Sequence, residues 1–344
     1  MKRRGRASGL WLLPLLLVSL FGSLLSGCDR AATISFAGEA QGTTYHITVV
    51  QTASNLQAAD LQQRIEQRLA SIDKALSNYR DDSELAAFNR APAGEWVALG
   101  DDLYRVLKIS DQISRESDGA FDITVAPLLA LWGFGPGQSG GMTPAAAEIE
   151  QIRAGIGYQF LEVDVAQPRA RKIRPLLIDV NGIAQGYSVD QLAQVLIAAG
   201  CTDFLVELGG ELRMAGHNPA GKPWRIGIQT PGDGVGEAQQ ALSGTGIAIT
   251  TAGDYRDYFE KEGIRYSHTI DPRSGRPIAH RLASVTVIAA DAALADGYDT
   301  VLEVLGPEAG MAFAQRHGIA AYFISRTAHG FVTAHSDAMS PYLQ

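Results

Sequence analysis

Apolar side chains at Leu61, Ile65, Leu69, Ile72 and Leu76 recur every three or four residues. That spacing puts them on one face of an amphipathic helix ending near "SNYRDDSEL". Just before it, "GTTYHITVV" reads as the first strand. "DDLYRVLKISDQISRES" repeats the helical pattern, with Asp101 or Asp102 as its cap. After the glycine-rich stretch "LWGFGPGQSGGMTP", Thr143-Pro144 has the form of an N-cap with proline in the first helical position. The apolar run "LLIDV" reads as a buried strand ending in Asp179, and a helix is predicted over 188–199. "FLVELGG", "ELRMAG", "WRIGIQT" and "GIAIT" then follow in quick succession, short strands joined by Gly and Asn/Pro turns, which suggests antiparallel pairing. "SVTVIAA" feeds a helix through "DAALADGYDTVLEVLG", a second helix starts near Pro307, and "AAYFISR" and "GFVTAHS" close the pattern as strands. Such an order predicts an α+β protein of two sheet-and-helix lobes.

The first residues do not belong to this pattern. "MKRRGRASGLWLLPLLLVSLFGSLLSGC" carries basic groups, then an uncharged apolar run, then small residues, the three-part layout of a secretory signal. "LSGC" resembles the lipobox of bacterial lipoproteins, with Cys28 as the lipidated first residue of the mature chain, and Asp29 resembles the signal that keeps such proteins at the inner membrane. The expected division is therefore a signal peptide over 1–27, a lipid-anchored tether over 28–40 and a folded domain over 41–344. The expected location is the inner membrane, facing the periplasm.

Removal of 1–27 leaves 25 Lys and Arg against 37 Asp and Glu, a net charge of −12. An acidic body without a basic tract argues against nucleic acid as a partner, because phosphate neutralisation supplies most of that affinity. It also disfavours an anionic substrate unless a bound cation compensates. With Cys28 lipidated, Cys201 has no partner in the chain, so neither a disulfide scaffold nor a cysteine zinc site is available. Cys201 reads as a small buried apolar side chain.

Four clusters could carry chemistry. "SDGAFDITVAPLLALWGFG" sets Phe121 and Asp122 beside a glycine-rich loop, where aromatics clamp a planar ring or fill a core. "LLIDVNGIAQGYSVD" brings Asp179 and two glycines to a helix start, either a phosphate and metal corner or a tight turn capped by Asp. "RYSHTIDPRSGRPI" offers His268 as base, proton shuttle or phosphate contact, with Asp271-Pro272 as a turn opener. In "ADGYDT", Asp296 and Thr300 stand at i and i+4 on one helical face with Asp299 beside them, oxygen donors that suit Mg²⁺ or else form a solvated acidic face.

Taken in order, "GTTY", "LSNYRDDSELAAFN", "GAFDITVAPLLALWGFG", "IDVNGIAQGYSVDQL", "LVELGGELRMAGHNP", "YSHTIDPRSGRPI" and "SVTVIAADAALADGYDT" closely resemble the ApbE family, the FAD:protein FMN transferases. The resemblance spans the chain from about Gly42 to the last strands. It implies an enzyme that uses Mg²⁺ to split FAD at the pyrophosphate and to link FMN through a phosphoester to a Thr or Ser of an acceptor protein, with the FAD and Mg²⁺ site in the cleft between the lobes. By the same resemblance Asp296, Asp299, Thr300 and the Gly182 carbonyl hold the metal. Gln41, Asn78, Tyr79, Ala120, Phe121, Asp122, Asp179, Gln185 and Ile270 hold FAD, and His268 and Asp296 are the catalytic candidates. The acceptor implied is a subunit of a membrane redox complex. Three positions depart from the family pattern: Gln41 replaces a Met before "GT", Gln185 a Lys, and Ala252 a Ser before "GD". FAD hydrolysis to FMN and AMP, and FAD binding without catalysis, are the alternative activities.

Overall fold

In the computed structural model, which describes residues 31–50, 57–134, 141, 143–231, 238–253, 258–261 and 264–344, the first two elements form a hairpin. Strands β1 (Thr33–Ala40) and β2 (Thr43–Val50) pair antiparallel. Next come α1 (Ala58–Leu76), α2 (Glu84–Arg90), β3 (Val97–Ala98), α3 (Asp101–Glu116), α4 (Ala126–Trp132) and α5 (Ala146–Arg153). Strands β4 (Leu161–Val163) and β5 (Arg169–Lys172) complete a small sheet with β3 and lead to α6 (Asn181–Ala198). Then follow β6 (Phe204–Leu208), β7 (Glu211–Ala215), β8 (Trp224–Gln229), β9 (Ala238–Gly244), β10 (Ile247–Gly253), and the short hairpins of β11 (Tyr258–Lys261) with β12 (Ile264–Ser267) and β13 (Ile270–Asp271) with β14 (Arg276–Pro277). The last elements are β15 (Leu282–Ala289), α7 (Ala292–His317), β16 (Ala320–Thr327) and β17 (Gly330–His335).

The fold is α+β, and the strands expected in two halves join in one eight-stranded sheet ordered β1-β2-β6-β7-β10-β15-β16-β17. On its helical side Leu61, Ile65 and Leu69 of α1 and Val189, Leu192 and Leu196 of α6 pack on Tyr45, Ile47, Val49, Phe204 and Val206. Further along the same side, α3 and α7 pack on Val285, Val287, Ala321 and Phe323. Met214, Ile249, Ile288, Tyr322 and Ile324 face the other way, beneath Trp224, Ile228 and Leu242 of the β8–β9 hairpin. Strand β15 is buried on both faces, so Ser284 and Thr286, which alternate with Val285 and Val287, are buried as well.

Several local expectations are corrected. Residues 33–40, assigned to a tether, are strand β1: Phe36 is buried against the α1–α6 core, and Gln41 (φ 52°) and Gly42 (φ 76°) form the two-residue turn that returns the chain into β2. Residues 1–30, with the signal and Cys28, lie outside the described residues. Leu176–Ile178 is no strand. Its backbone is held by Asn89, whose side chain accepts from the Ile178 N–H at 2.8 Å and donates to the Ile178 carbonyl at 2.9 Å, while the Asp179 N–H donates to the Ile123 carbonyl at 2.7 Å. Helix α6 starts at Asn181, seven residues before the predicted 188. Gly100 rather than Asp101 or Asp102 precedes α3, and Ala145 rather than Thr143 precedes α5. Asp102 is drawn instead into a bond network with Arg68 and Tyr187 that ties α1, α3 and α6 together.

Candidate functional site

The site forms where α6 crosses α7. Gly182 leaves helical geometry (φ −77°, ψ 18°), and the Gly186 N–H, which regular geometry would aim at the Gly182 carbonyl, donates to Asp296 Oδ2 at 2.8 Å. A Cβ at Gly186 would lie 2.4 Å from the Ala292 carbonyl oxygen and 2.7 Å from Asp296 Cβ, so a side chain there would force the helices apart. A Cβ at Gly182 would lie 3.4 Å from Thr300 Oγ1 and 3.5 Å from Phe121, which places that turn beside both residues. Asp190 of α6 fixes the start of α7 by accepting from the Ala292 and Ala293 N–H groups at 2.9 and 3.0 Å, and Arg213 donates to it at 2.5 Å.

Beneath the crossing lies a pocket of about 190 Å³ lined by Gln185, Glu211, His268, Asp296, Asp299, Thr300 and Glu303, with backbone and small side chains from Gly209 and 251–253. Its four carboxylates are buried. Burial pushes the Asp296 carboxyl up to about 7, its Gly186 hydrogen bond opposing and Asp190 adding. Burial also raises the Asp299 carboxyl well above its ordinary value, with the Asp296 charge as the second cause. Among the lining residues only His268 can carry a positive charge. Carboxylates so placed must hold protons or share a cation. Among the described residues no three His, Cys, Asp or Glu side chains converge closely enough to chelate an ion by themselves. A hard cation would therefore need the Thr300 hydroxyl and a backbone carbonyl as well, and the site supplies both kinds of donor.

Two larger cavities adjoin this pocket. One, of about 670 Å³, is walled by Tyr79, Ala120, Phe121, Asp122, Ile123, Phe134, Asp179, Gly182, Ile270, Thr300 and Glu303. The other, of about 740 Å³, is walled by Gln41, Gly42, Ser77, Asn78, Tyr79, Asn181 and Gln185. His268 borders all three spaces. Tyr79 stands 71% exposed at the shared wall of the larger two. The Gln41 amide donates to Ser188 Oγ at 2.6 Å, while its buried Oε1 has no hydrogen-bond partner among the described residues.

Every residue expected at the site borders one of these spaces, including the departures Gln41 and Gln185, and Ala252 lies at the small pocket. Their chemistry differs from residue to residue. Asp122 spends both oxygens internally, accepting from the Thr124 N–H and hydroxyl at 2.8 and 2.7 Å and from the Tyr158 N–H at 2.8 Å, so it braces the wall. Asp179 accepts from Asn78 Nδ2 at 3.0 Å and from the Asn181 N–H at 2.8 Å, and desolvation raises its carboxyl. Of the aromatics in the first cluster, Phe121 and Phe134 reach the cavity. Trp132 is core, its indole N–H donating to the Gly275 carbonyl at 2.9 Å. Cys201 is buried in the α1–α6 core, as its position suggests.

Sequence reasoning missed Glu211, Glu303, Thr269, Asn181 and Phe134. Glu303 was legible as the residue seven past Asp296 and three past Thr300, on the same helical face. Glu211 reaches the pocket through strand pairing, which no local spacing reveals.

The profile of the ApbE family matches residues 41–323. An FAD:protein FMN transferase of Vibrio cholerae serotype O1 is 38% identical over 321 residues, 93% of this chain and 96% of that protein. One from Escherichia coli K12 is 37% identical, covering 89% and 88%. The apo crystal structure of Pseudomonas stutzeri flavinyl transferase ApbE superimposes with a TM-score of 0.83 at 43% identity, covering 90% of this chain and 96% of that one. The match runs through every segment that walls the three cavities, and the chain belongs to the ApbE family.

Proposed function

We propose that this protein is a flavin transferase that moves FMN from FAD to a hydroxyl group of another protein. The observation that carries this reading is the meeting of two cavities roomy enough for a dinucleotide with a pocket of four carboxylates at one residue, His268. Tyr79 and Phe121 offer faces for planar rings, Gln41 Oε1 offers an acceptor to a ligand N–H, and the Gly182 turn lets backbone approach the phosphates.

In the reaction the acceptor oxygen, from a Thr or Ser, forms a bond to the FMN phosphorus, and the bond from that phosphorus to the bridging oxygen breaks, so AMP leaves with the bridging oxygen. The hydroxyl proton passes to His268 or to Asp296. Asp296, Asp299, Thr300 and the Gly182 carbonyl would hold Mg²⁺, which when bound offsets the charge that builds on the phosphoryl oxygens and on departing AMP. Ala120, Ile123 and Ile270 add an apolar stretch to the wall of the cavity of about 670 Å³, which would limit water near the reacting phosphate and favour the acceptor hydroxyl over hydrolysis.

The signal-like start and Cys28 support a lipid-anchored protein at the inner membrane, facing the periplasm, with a redox-complex subunit as acceptor. Among the described residues no helix is long and apolar enough to cross a membrane. Incubation with FAD, Mg²⁺ and an acceptor domain should leave covalent flavin fluorescence on a denaturing gel, and Asp296→Ala should abolish it. Wild-type transfer by that variant with excess Mg²⁺ would remove the metal assignment.

A further inference from the structure

Helix α7 breaks at Gly306 (φ 76°), and Pro307 after it has no N–H. In an unbroken helix the N–H of residue 307 would donate to the Glu303 carbonyl. His280 supplies the missing donor: its Nε2 lies 2.7 Å from that oxygen, and since a carbonyl only accepts, Nε2 carries the proton. The fit is close, because a Cβ at Gly306 would stand 2.6 Å from His280 Cδ2.

The side chain of the residue so anchored points into the site. Glu303 is 5% exposed, borders both the larger cavity and the acidic pocket, and accepts from Thr269 Oγ1 at 3.0 Å. Thr269 adjoins His268 in the chain, and its own N–H is held by Ser267 Oγ at 3.1 Å. A continuous path thus runs from His280 through the Glu303 backbone and side chain to Thr269 and His268. It fastens the His268 loop to the same helix that carries Asp296, Asp299 and Thr300.

We propose that Glu303 and His280 are positioning residues that fix His268 relative to the α7 carboxylates and so set the turnover of flavin transfer more than the affinity for FAD. The proposal rests on the flavin-transfer reading above. Glu303 acts here as a hydrogen-bond acceptor for Thr269, a role that its amide analogue can fill, whereas a role through charge on a bound cation cannot survive that exchange.

The test compares Glu303→Gln with Glu303→Met, Thr269→Ser with Thr269→Val, and His280→Gln with His280→Phe in the full chain. It measures kcat, KM for FAD and half-saturation by Mg²⁺. Misplacement of a reacting group by about 1 Å costs about 100-fold. The Met, Val and Phe variants should accordingly lose about 10- to 100-fold in kcat with KM for FAD within about 2-fold of wild type. Gln at 303 and Ser at 269 should restore most of the rate, and the Glu303→Met, Thr269→Val double variant should be no worse than either single. Equal losses in Glu303→Gln and Glu303→Met, with a raised Mg²⁺ requirement, would overturn the proposal, as would wild-type kcat in Thr269→Val. NMR signals of the His268 ring, recorded without substrate, provide a readout independent of transfer. They should move in Thr269→Val and stay in place in Thr269→Ser, and unmoved signals in both would refute the positioning role. Absence of transfer by the wild-type protein would count against the flavin-transfer reading alone.

Discussion

Gly186→Ala tests the packing on which the site is built. The added methyl would sit 2.4 Å from the Ala292 oxygen and 2.7 Å from Asp296 Cβ, both on the first turns of α7. Ordinary contacts at such atoms start near 3.4 Å, so α6 and α7 must separate by about 1 Å. Overpacking of a close-packed interface costs about 1–3 kcal/mol. The same separation stretches the 2.8 Å bond from the Gly186 N–H to Asp296 Oδ2, and loss of a hydrogen bond to an ionisable group adds about 1.5–3 kcal/mol. The sum, about 2.5–6 kcal/mol, corresponds to a fall in Tm of about 4–9 °C for a chain of this size. Gly182→Ala is the internal comparison: its methyl meets Thr300 and Phe121 at ordinary contact distances of 3.4 and 3.5 Å, and its φ is negative. It should shift stability by less than about 1 kcal/mol. Differential scanning calorimetry of both variants, with a Mg²⁺ titration by isothermal calorimetry, reads the two effects separately. A wild-type Tm and wild-type Mg²⁺ binding in Gly186→Ala would refute the helix crossing as the base of the site.

Asp190→Ala strips the start of α7 of two acceptors and leaves Arg213 beside only Asp291; a loss of about 3 kcal/mol in chemical denaturation is expected, with Asp190→Asn milder. Tyr79→Ala, at an exposed position, should leave Tm within about 1–2 °C while weakening FAD binding by about 5- to 100-fold in a flavin fluorescence titration. The Asp296 carboxyl sits at about 7 in the folded chain against an ordinary 3.8. Its protonation therefore stabilises the fold fully below about pH 4, and that stability is lost as pH rises through about 7. A cation can take the proton's place, so the rise in Tm on adding Mg²⁺ should grow between pH 5 and pH 8, as thermal shift assays at fixed Mg²⁺ would record.

The amphipathic helices α1 and α3 were legible because each buries a periodic apolar face, and β6, β7, β8, β10, β15 and β16 because each sets apolar residues between turn signals; β9 and the short hairpins β11–β14 left no such trace. The end of the chain was equally clear, since Gly306 and Pro307 mark the break in α7 unambiguously. Leu176–Ile178 misled because its apolar side chains fill a core while its backbone bonds go to Asn89 and the Ile123 carbonyl, partners about 90 and 55 residues away in sequence, beyond the reach of any local rule. Strand β1 was missed because only Phe36 along it is fully buried, a weak trace of an edge strand. In the site, Asp296, Asp299 and Thr300 were visible as a helical face, and Glu303 was the next member of that face. Glu211 depended on the register of β7 against β10, which only the folded sheet reveals.

The most direct measurement of the central claim is intact-protein mass spectrometry of an acceptor domain after incubation with this protein, FAD and Mg²⁺, with AMP quantified in the same reaction. Transfer predicts a gain equal to FMN less one water on a single Thr or Ser, one AMP released for each acceptor modified, and neither product with Asp296→Ala. Unmodified acceptor accompanied by free FMN and AMP would make the protein a hydrolase, and intact FAD would contradict catalysis altogether.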